Sequence, residues 1–257
     1  MFEAMMIAAT GLQNQQRRLD VIANNVSNIN TTAFKGVRLD FKDALYTAGI
    51  VPGLPRTPEG NQQKGHGVLI AGTTKDFRIG NFQRTERPLD MAIEGEGFFE
   101  LRNMNGELLY TRNGAFFLSA EEDGAYLVNG NGLYVMDSNG ERIRLPEYAE
   151  TIGVEQDGTI RFMLDGEESS VRLGVYTFRN LTGLLSAGDG NYSESEASGE
   201  RMFTEDVVIR QGTIEGSNVN LAEEMTRMIR TQRAFQLASR ALTTADEMDA
   251  IANNMKR

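Results

Sequence analysis

The sequence has no cysteine, no tryptophan, a single histidine and only 5 prolines in 257 residues. Without cysteine the chain cannot form a disulfide framework, and one histidine is too few for a zinc site of the Cys/His type. The sequence also lacks any run of about 18 apolar residues, so no segment is predicted to cross a membrane as a helix. These absences lead us to expect no metal, no cofactor and no direct membrane insertion.

Charge is distributed unevenly along the chain. The net charge is −10 and the isoelectric point is near 4.8, which argues against nucleic acid as a partner because the phosphates would repel the protein. Residues 1–38 carry +2, residues 39–220 carry −13 and residues 221–257 carry +1. All 5 prolines and 25 of the 27 glycines lie in the middle region. The two ends and the middle are therefore predicted to be different kinds of structure.

The N-terminal region predicts a helix from about residue 2 to residue 27. Its apolar side chains recur at spacings of three and four residues, the pattern of a helix with one buried face. They are Phe2, Met5, Ala9, Leu12, Leu19, Ala23 and Val26, with Gln16 as the polar interruption. Glu3 stands where a secretory signal has a basic residue, so we expect a structural helix and not a cleaved signal peptide.

A second helix is predicted at the C-terminal end. Asn220 is suited to cap its first turn, Glu223 follows three residues later, and Glu223 and Arg227 are spaced for an ion pair. Its apolar stripe consists of Leu221, Met225, Met228, Phe235, Ala238, Leu242, Ala245, Ala252 and Met255. Neither helix can bury such a stripe alone, so we expect the terminal helices to pair in a coiled-coil-like manner.

The middle of the chain predicts short strands joined by tight turns. The β-rich runs are Val68–Ala71, Met91–Ile93, Phe98–Leu101, Leu108–Thr111, Tyr126–Val128, Leu133–Met136, Thr159–Leu164, Val171–Phe178 and Val207–Arg210. Asn-Gly or Asp-Gly pairs, the strongest short hairpin signal, stand at 105–106, 113–114, 123–124, 129–132, 139–140 and 157–158. Residues 47–66 predict an extended connector. The predicted fold class is α+β, with a mainly antiparallel all-β domain inserted between the helices.

The candidate catalytic residues do not form a convincing active site. His66 lies in the connector without a nucleophile motif nearby. Glu94, Glu96 and Glu100 alternate along a strand-like run, so we interpret them as a solvated face and not as paired general acids. Residues 137–141 lack the ligand ladder of a calcium loop and are predicted to be a hairpin turn. We therefore expect no enzyme.

Several segments carry a family resemblance. They are Leu19-Asp20-Val21-Ile22-Ala23-Asn24-Asn25-Val26-Ser27-Asn28-Ile29-Asn30-Thr31-Thr32-Ala33-Phe34-Lys35, residues 88–99, Tyr110-Thr111-Arg112-Asn113-Gly114, Gly216-Ser217-Asn218-Val219-Asn220-Leu221-Ala222-Glu223-Glu224-Met225 and residues 230–235. In order and spacing, the sequence resembles the bacterial flagellar rod and hook proteins nearly end to end. It departs from them where Ala33 replaces the usual glycine and where Glu94 and Glu96 make a strand more acidic.

The resemblance implies a self-assembling axial subunit, exported unfolded through the flagellar type III apparatus and polymerised outside the inner membrane, in the periplasm or cell-wall zone. The implied partners are further copies, other rod and hook proteins, and ring proteins around the rod. In such proteins the terminal helices form an inner tube and the β domain an outer shell. We therefore expect a terminal helical assembly domain at 1–30 and 218–257, a connector that locks neighbours at 31–69, and a β-rich outer domain at 70–217.

The length leaves no room for the extra outer domain of a hook subunit, which favours the rod, where the subunit transmits torque. Ala222-Glu223-Glu224-Met225 and the length favour the distal rod protein. A proximal rod protein or a short hook-type subunit stays open. Two other classes also stay open, namely a wall-cleaving hydrolase and a monomeric extracellular β binding module.

Two sets of residues are predicted to matter for assembly. The predicted interface comprises Phe2, Met5, Leu12, Leu19, Val26, Leu221, Met225, Met228, Phe235 and Leu242. The family signature comprises Ala23, Asn24, Asn25, Asn28, Asn30, Thr31, Phe34, Lys35, Ser217, Asn218, Val219, Asn220, Gln232 and Arg233. We expect both termini to be largely disordered before assembly, because isolated helices are marginal without a partner.

Overall fold

The structure is a computed structural model. In it, the chain forms two compact units. The structure describes residues 2–44, 46–49, 62–65, 67–121, 124–146, 152–164, 166–204 and 207–255. The helical unit consists of Met1–Ser27, Val37–Thr74 and Asn220–Arg257. The β unit consists of Asn28–Gly36 and Lys75–Val219. Both units are therefore discontinuous in sequence.

The helical unit contains two long helices that pack against each other. Helix α1 is Phe2–Ser27 and helix α2 is Leu221–Asn254. The side chain of Asn220 accepts hydrogen bonds from the backbone N–H groups of Ala222 and Glu223, so the predicted N-cap of α2 is confirmed. Terminal helices flanking a mainly antiparallel β-rich middle confirm the predicted α+β class. No helix in the described part of the chain is both long and apolar enough to cross a bilayer.

The buried face of α1 differs from the predicted one in a single detail. Met5, Leu12, Leu19 and Val26, spaced by seven residues, are all half-buried, as a 3-4 repeat requires. The next buried position after Leu19 is Ile22, three residues later, and not Ala23, four residues later. Ile22 is only 4% exposed, whereas Ala23 is exposed. The prediction that Ala23 belongs to the stripe is therefore wrong. Burying Ile22 removes more apolar area from water than burying an alanine would.

A β ribbon completes the helical unit. Strand β1 (Val37–Asp43) pairs with β4 (Val68–Lys75), and β2 (Tyr46–Gly49) pairs antiparallel with β3 (Gln62–Gly65). The predicted connector thus contains strands at both its ends, whereas residues 50–61 and His66 lie outside the described residues. The alternation of Val37, Leu39 and Phe41 with charged residues was a signal for β1 that the sequence prediction missed.

The β unit is built from short strands. They are β5 (Phe82–Arg84), β6 (Met91–Glu94), β7 (Phe98–Arg102), β8 (Leu108–Thr111), β9 (Phe116–Glu121), β10 (Gly124–Asn129), β11 (Tyr134–Val135), β12 (Arg144–Leu145), β13 (Gly153–Val154), β14 (Thr159–Leu164), β15 (Glu167–Arg172), β16 (Val175–Phe178), β17 (Leu185–Gly188), β18 (Asn191–Ser193), β19 (Arg201–Phe203), β20 (Val208–Gln211) and β21 (Thr213–Glu215). A short 3₁₀ helix, Leu181–Gly183, lies between β16 and β17.

These strands form one large sheet and several small ones. The 10-stranded sheet follows the order β12-β10-β11-β7-β8-β18-β17, with β9 beside β10 and β16 between β7 and β19. Strands β13, β14 and β15 form a second sheet, while β20 pairs with β6 and β21 with β5. The main core includes Phe99, Leu101, Phe116 and Leu127, all 0% exposed. A second, aromatic core forms around Phe98, Tyr110 and Tyr192 on another part of the unit.

Most of the predicted turns join paired strands, but two predictions need correction. The pair at 113–114 is not a hairpin, because β8 pairs with β7 and β18 while β9 pairs with β10. A Cβ atom at Gly114 would lie 1.6 Å from the carbonyl oxygen of Met91, so this glycine permits a close backbone contact. The predicted strand Val171–Phe178 is divided into β15 and β16 at Gly174, where a Cβ would lie 2.7 Å from the carbonyl oxygen of Asp137.

Candidate assembly surfaces and a buried ionic cluster

The helix α2 carries one face of low exposure. Glu224 and Thr231 are buried, and Met228, Phe235 and Leu242 are half-buried at a spacing of seven residues. The two polar members differ in their partners, and Oε2 of Glu224 is buried without a hydrogen bond. The Thr231 hydroxyl donates to a backbone carbonyl one turn earlier in the helix, and Glu224 forms an ion pair of 2.7 Å with Arg227. Three predicted interface residues therefore lie on the sheltered side of this helix.

The same helix carries a second set of apolar side chains, which are exposed. They are Leu221, Met225, Ile229, Leu237, Met248, Ile251 and Met255, with exposed fractions between 44% and 79%. At about 100° per residue, Leu237, Met248, Ile251 and Met255 fall within about 60° of one another around the helix axis. Phe235, on the sheltered side, is about 200° away from Leu237. Helix α2 is thus apolar on two sides. The stripe predicted from the sequence did not include Leu237, Met248 and Ile251, so it missed most of the exposed side.

The predicted interface residues divide accordingly. Met5, Leu12, Leu19 and Val26 in α1 are half-buried, like the sheltered residues of α2, whereas Leu221 and Met225 are exposed. Phe2 is the first residue of α1. An assembly role for these residues stays a prediction.

Within the family signature, Asn25 holds the ribbon to α1. Its side-chain amide donates to the carbonyl oxygen of Val37 at 2.9 Å and accepts from the N–H of Val37 at 2.9 Å. Asn25 is 3% exposed, so both polar groups of its amide are paired in a buried setting. The sequence identified this asparagine but not its structural role.

Lys35 and two other charged residues form a buried ionic cluster in the β unit. The Lys35 Nζ atom lies 2.6 Å from Glu215 Oε1, and the Arg112 Nε atom lies 2.7 Å from Glu215 Oε2. The side chains of Lys35 and Glu215 are 0% exposed and that of Arg112 is 3% exposed. The other Arg112 donors bond to the carbonyl oxygens of Gly95, Gly97 and Ile93. Two cations thus share one carboxylate, with backbone carbonyls as further acceptors.

The environment of the cluster shifts the pKa values of its members. Burial lowers the pKa of the Lys35 amine, and the nearby charge of Glu215 only partly opposes this effect. Burial raises the pKa of the Glu215 carboxyl, but the charges of Arg112 and Lys35 outweigh it, so the pKa is lower than usual. Glu215 therefore remains ionised at neutral pH despite its complete burial.

Asn218 extends this cluster to the neighbouring backbone. Its side-chain oxygen accepts from the N–H of Gly36 at 2.8 Å, and its amide nitrogen donates to the carbonyl oxygens of Asp76 at 2.7 Å and Arg78 at 3.0 Å. The carbonyl oxygen of Arg78 also accepts from Lys35 at 2.8 Å. The side chains of Asn218 and Lys35 therefore both donate to the same backbone carbonyl oxygen, that of Arg78.

Ala33 adopts a backbone conformation that favours glycine. Its φ is 55°, in the left-handed region, where a Cβ costs about 1–2 kcal/mol. The residue is 2% exposed and its N–H donates to the carbonyl oxygen of Glu215 at 2.8 Å. Ala33 stands where the family that the sequence resembles usually has glycine, and a glycine at this position would relieve the backbone strain.

The remaining signature residues are mostly at the surface or in local turns. The side chains of Asn24, Asn30, Gln232 and Arg233 are exposed. Thr31 bonds to Asn28 through both its N–H and its hydroxyl group. Phe34 accepts from the N–H of Asn218, and the N–H of Val219 donates to the Ser217 hydroxyl oxygen. The signature therefore combines residues that hold the fold with residues that the single chain leaves exposed.

The carboxylates considered for catalysis have other partners. Glu94 forms an exposed ion pair with Arg210 at 2.6 Å. Glu100 is 0% exposed and pairs with Arg201, so the prediction that it lies on a solvated face is wrong, because both faces of β7 are covered. The Asp137 carboxylate accepts from the N–H groups of Asn139 and Glu141, as expected for a turn. Within the described ranges, no group of three or more His, Cys, Asp or Glu side chains is arranged to hold a metal ion.

Three family models match the sequence. "Flagella basal body rod protein" matches residues 5–35, "Flagellar hook protein FlgE/F/G D1 domain" matches 92–162, and "Flagellar basal body rod FlgEFG protein C-terminal" matches 210–255. The flagellar basal-body rod protein FlgG of Borreliella burgdorferi is 37% identical, and the match covers 100% of both chains. The chain belongs to the flagellar basal-body rod protein family.

Two Bacillus subtilis proteins also match over 100% of both chains. Its flagellar basal-body rod protein FlgG is 33% identical and its flagellar hook-basal body complex protein FlhP is 30% identical. The resemblance inferred from the motifs is therefore confirmed. Each of the three matched regions contributes one member of the buried ionic cluster, namely Lys35, Arg112 and Glu215. Sequence reasoning had missed Arg112 and Glu215 as functional candidates, because no local pattern marks them as partners.

Proposed function

We propose that this chain is a structural subunit of the bacterial flagellar basal-body rod, which polymerises into a helical tube and transmits torque from the motor to the hook. Full-length similarity to rod proteins named FlgG supports the class of protein. The observation that carries the proposal is the second, exposed apolar side of α2. A helix that is already packed on one side and still apolar on the other requires a further partner.

The sheltered sides of the helices serve pairing within one chain. In α1 the half-buried residues Met5, Leu12, Leu19 and Val26 repeat every seven residues, and Met228, Phe235 and Leu242 do the same in α2. A seven-residue repeat on both members of a packed pair supports a coiled-coil-like geometry. These side chains form the contact between α1 and α2 of one chain.

The exposed side of α2 serves contacts with a second copy. Helix α2 has 34 residues and α1 has 26, so about 12 Å of α2 extends beyond what α1 covers. Met248, Ile251 and Met255 lie near the C-terminal end of α2 and are 54%, 58% and 79% exposed. Identical chains that dock this side onto a different surface of the next copy make a heterologous contact, which generates an open helical array.

The division of roles within the subunit is the one that the family resemblance implies. Residues 1–30 and 218–257 form the inner assembly domain, residues 31–69 lock neighbouring subunits, and residues 70–217 form the outer shell. The partners are further copies of the chain, other rod and hook proteins, ring proteins around the rod and the flagellar type III export apparatus. The site of assembly is outside the inner membrane.

Among the rod proteins, we favour the distal one. Relatives named FlgG reach 37% and 33% identity over the full length, whereas the FlhP protein of Bacillus subtilis is 30% identical.

Polymerisation of the purified full-length chain tests the proposal. We expect the wild-type protein to form rods or large oligomers by sedimentation and electron microscopy. The double variant Met248→Gln/Ile251→Gln places two polar side chains on the exposed side of α2 and should remain a folded monomer. The matched control Gln232→Ser changes an exposed polar residue of the same helix and should assemble normally.

Two outcomes would contradict the proposal. A wild-type chain that stays monomeric at every concentration tested would indicate a soluble binding module. A double variant that polymerises as readily as the wild type would show that this side of α2 is not an assembly surface. Circular dichroism of the double variant separates a lost contact from a lost fold.

A further inference from the structure

The chain passes between its two units at four places. These are the junctions 27–28, 36–37, 74–75 and 219–220. Any load that travels from one unit to the other along the covalent chain therefore passes through four backbone segments. A rigid subunit needs these segments to be held firmly at their ends in the β unit.

Three of the four segments are bonded to one another within the β unit. Gly36 and Asn218 are hydrogen-bonded at 2.8 Å, Asn218 bonds to Asp76 at 2.7 Å, and the N–H of Asp76 donates to the carbonyl oxygen of Gly36 at 2.8 Å. Each of these residues lies within two positions of a junction. The fourth segment enters the β unit at Asn28 and is bonded five residues later, where the N–H of Ala33 donates to the carbonyl oxygen of Glu215.

The ionic cluster fixes this arrangement to the β-unit core. Glu215 Oε1 accepts from Lys35 at 2.6 Å and from the N–H of Gly80 at 2.8 Å, while Glu215 Oε2 accepts from Arg112 at 2.7 Å. A Cβ atom at Gly80 would lie 2.1 Å from the carbonyl oxygen of Gly216, so the backbones of these segments are in close contact. One carboxylate therefore joins four parts of the chain that are distant in sequence.

The energetics of buried charges indicate what this cluster contributes. Replacing a buried ion pair with well-packed apolar residues is often neutral or stabilising, so a charged cluster is poor evidence for added stability. Charged and bidentate hydrogen bonds do impose fixed distances and directions on their partners. The arrangement is thus better suited to holding segments in one position than to strengthening the core.

We propose that Lys35, Arg112, Glu215 and Asn218 form a clamp that holds the chain segments connecting the two units in fixed positions. The clamp fixes these segments at their ends in the β unit. Its mechanical consequence rests on the proposed function, since load arises only in a rod that transmits torque. Its structural consequence, local rigidity at the junctions, is independent of that function.

Hydrogen exchange of the purified full-length chain tests the clamp. Asn218→Ala removes the bonds to Gly36, Asp76 and Arg78, and we expect about tenfold faster amide exchange at residues 36, 76–80 and 215–219. Exchange elsewhere in the β unit should be unchanged. The matched control Ile160→Val, in a fully buried core position, should instead raise exchange across the β unit without favouring the junctions.

Swimming speed in media of rising viscosity tests the mechanical consequence. Cells with Asn218→Ala should assemble rods and swim normally in thin medium, but should lose speed at high load well before cells with Ile160→Val. If Asn218→Ala does not fold, Lys35→Met provides the same test, because it leaves the pair of Arg112 and Glu215 intact.

The outcomes separate the two proposals. If Asn218→Ala raises amide exchange evenly across the β unit, as the core control does, the clamp proposal is wrong, whether or not the chain forms a rod. If Asn218→Ala raises exchange only at the junctions but the cells swim as fast at high load as those with Ile160→Val, the clamp has no mechanical role. If basal bodies isolated from wild-type cells do not contain this chain in their rods, the proposed function is refuted instead.

Discussion

The two units of the chain differ in how completely they bury their apolar residues. The hydrophobic core clusters lie in the β unit, where side chains such as Phe99, Leu101 and Leu127 are 0% exposed. In α2, by contrast, Leu237 is 65% exposed and Met248 is 54% exposed. At about 25 cal/mol per Å² of apolar area removed from water, the β unit gains most of its stability within one chain. The helical unit leaves more apolar surface exposed, which fits the proposed assembly with other copies.

The difference in charge follows the same division. The β unit, Asn28–Gly36 and Lys75–Val219, carries −12, whereas the helical unit carries +2. Near-neutral helices can approach one another closely, as the proposed assembly requires, whereas the acidic charge keeps the β unit solvated. The net charge of −10 therefore comes from one region of the chain and is not spread over the whole molecule.

Removing residues 1–25 has the largest expected effect on the helical unit. Without α1, helix α2 loses its packing partner inside the chain, and an isolated helix is marginal in water. The deletion leaves the β-unit segment Asn28–Gly36 in place. We expect polymerisation to be abolished while near-native β-sheet circular dichroism is retained. A truncated chain that still forms rods would contradict the division of roles.

Within the β unit, the largest effect is expected from Glu215→Gln. This change leaves the buried cations Lys35 and Arg112 without their carboxylate, and breaking a buried ion pair in this way costs about 3–5 kcal/mol. Lys35→Met should lower the free energy of unfolding much less, because Arg112 and Glu215 remain a balanced pair. Urea denaturation of the full-length variants measures both. Equal losses would show that charge balance does not govern the cluster.

The pH dependence of stability should reveal the same carboxylate. The pKa of Glu215 is lowered in the folded state, so its contribution is fully present above the ordinary glutamate pKa of about 4.3 and is lost as pH falls through the folded value. The difference in free energy of unfolding between wild type and Glu215→Gln should therefore shrink as pH decreases from 6 towards about 3. A difference that stays constant over this range would contradict the prediction.

Ala33→Gly should have the smallest effect, and in the stabilising direction. Relief of the left-handed strain outweighs the greater entropy of glycine in the unfolded chain by about 0.5–1 kcal/mol. The hydrogen bond from this residue to the carbonyl oxygen of Glu215 uses the backbone and is retained. Thermal melting compares this variant with Ala33→Val, in which a β-branched side chain should destabilise the β unit. A lower melting temperature for the glycine variant would show that the methyl group matters more than the strain.

The sequence was informative wherever the determining interactions are local. The cap at Asn220 and the repeat from Met5 to Val26 depend on residues a few positions apart, so both helices could be predicted. The choice between Ile22 and Ala23 could not, because both fit a 3-4 spacing and only packing against another element decides between them. The Asn-Gly pairs predicted hairpins well, yet Gly114 serves a contact with Met91, which is distant in sequence.

The candidate site was less predictable than the fold. Lys35 and Glu215 are separated by 180 positions and Arg112 and Glu215 by 103, and no periodicity can indicate such pairs. The signature did include Lys35 and Asn218, but on grounds of resemblance and not of geometry. The exposed apolar side of α2 was missed because Leu237, Met248 and Ile251 do not lie on the predicted stripe. Leu221 and Met225 were placed with the sheltered residues, because the sequence does not show which side of the helix its partner covers.

The most direct test of this account is hydrogen exchange of the full-length chain before and after polymerisation. We expect the β unit to be equally protected in the free and assembled states, because its core is complete in one chain. We expect α1 and α2 to exchange rapidly in the free chain and slowly in the polymer. Helices that are already as protected in the monomer as in the polymer would contradict the claim that the helical unit is completed by assembly.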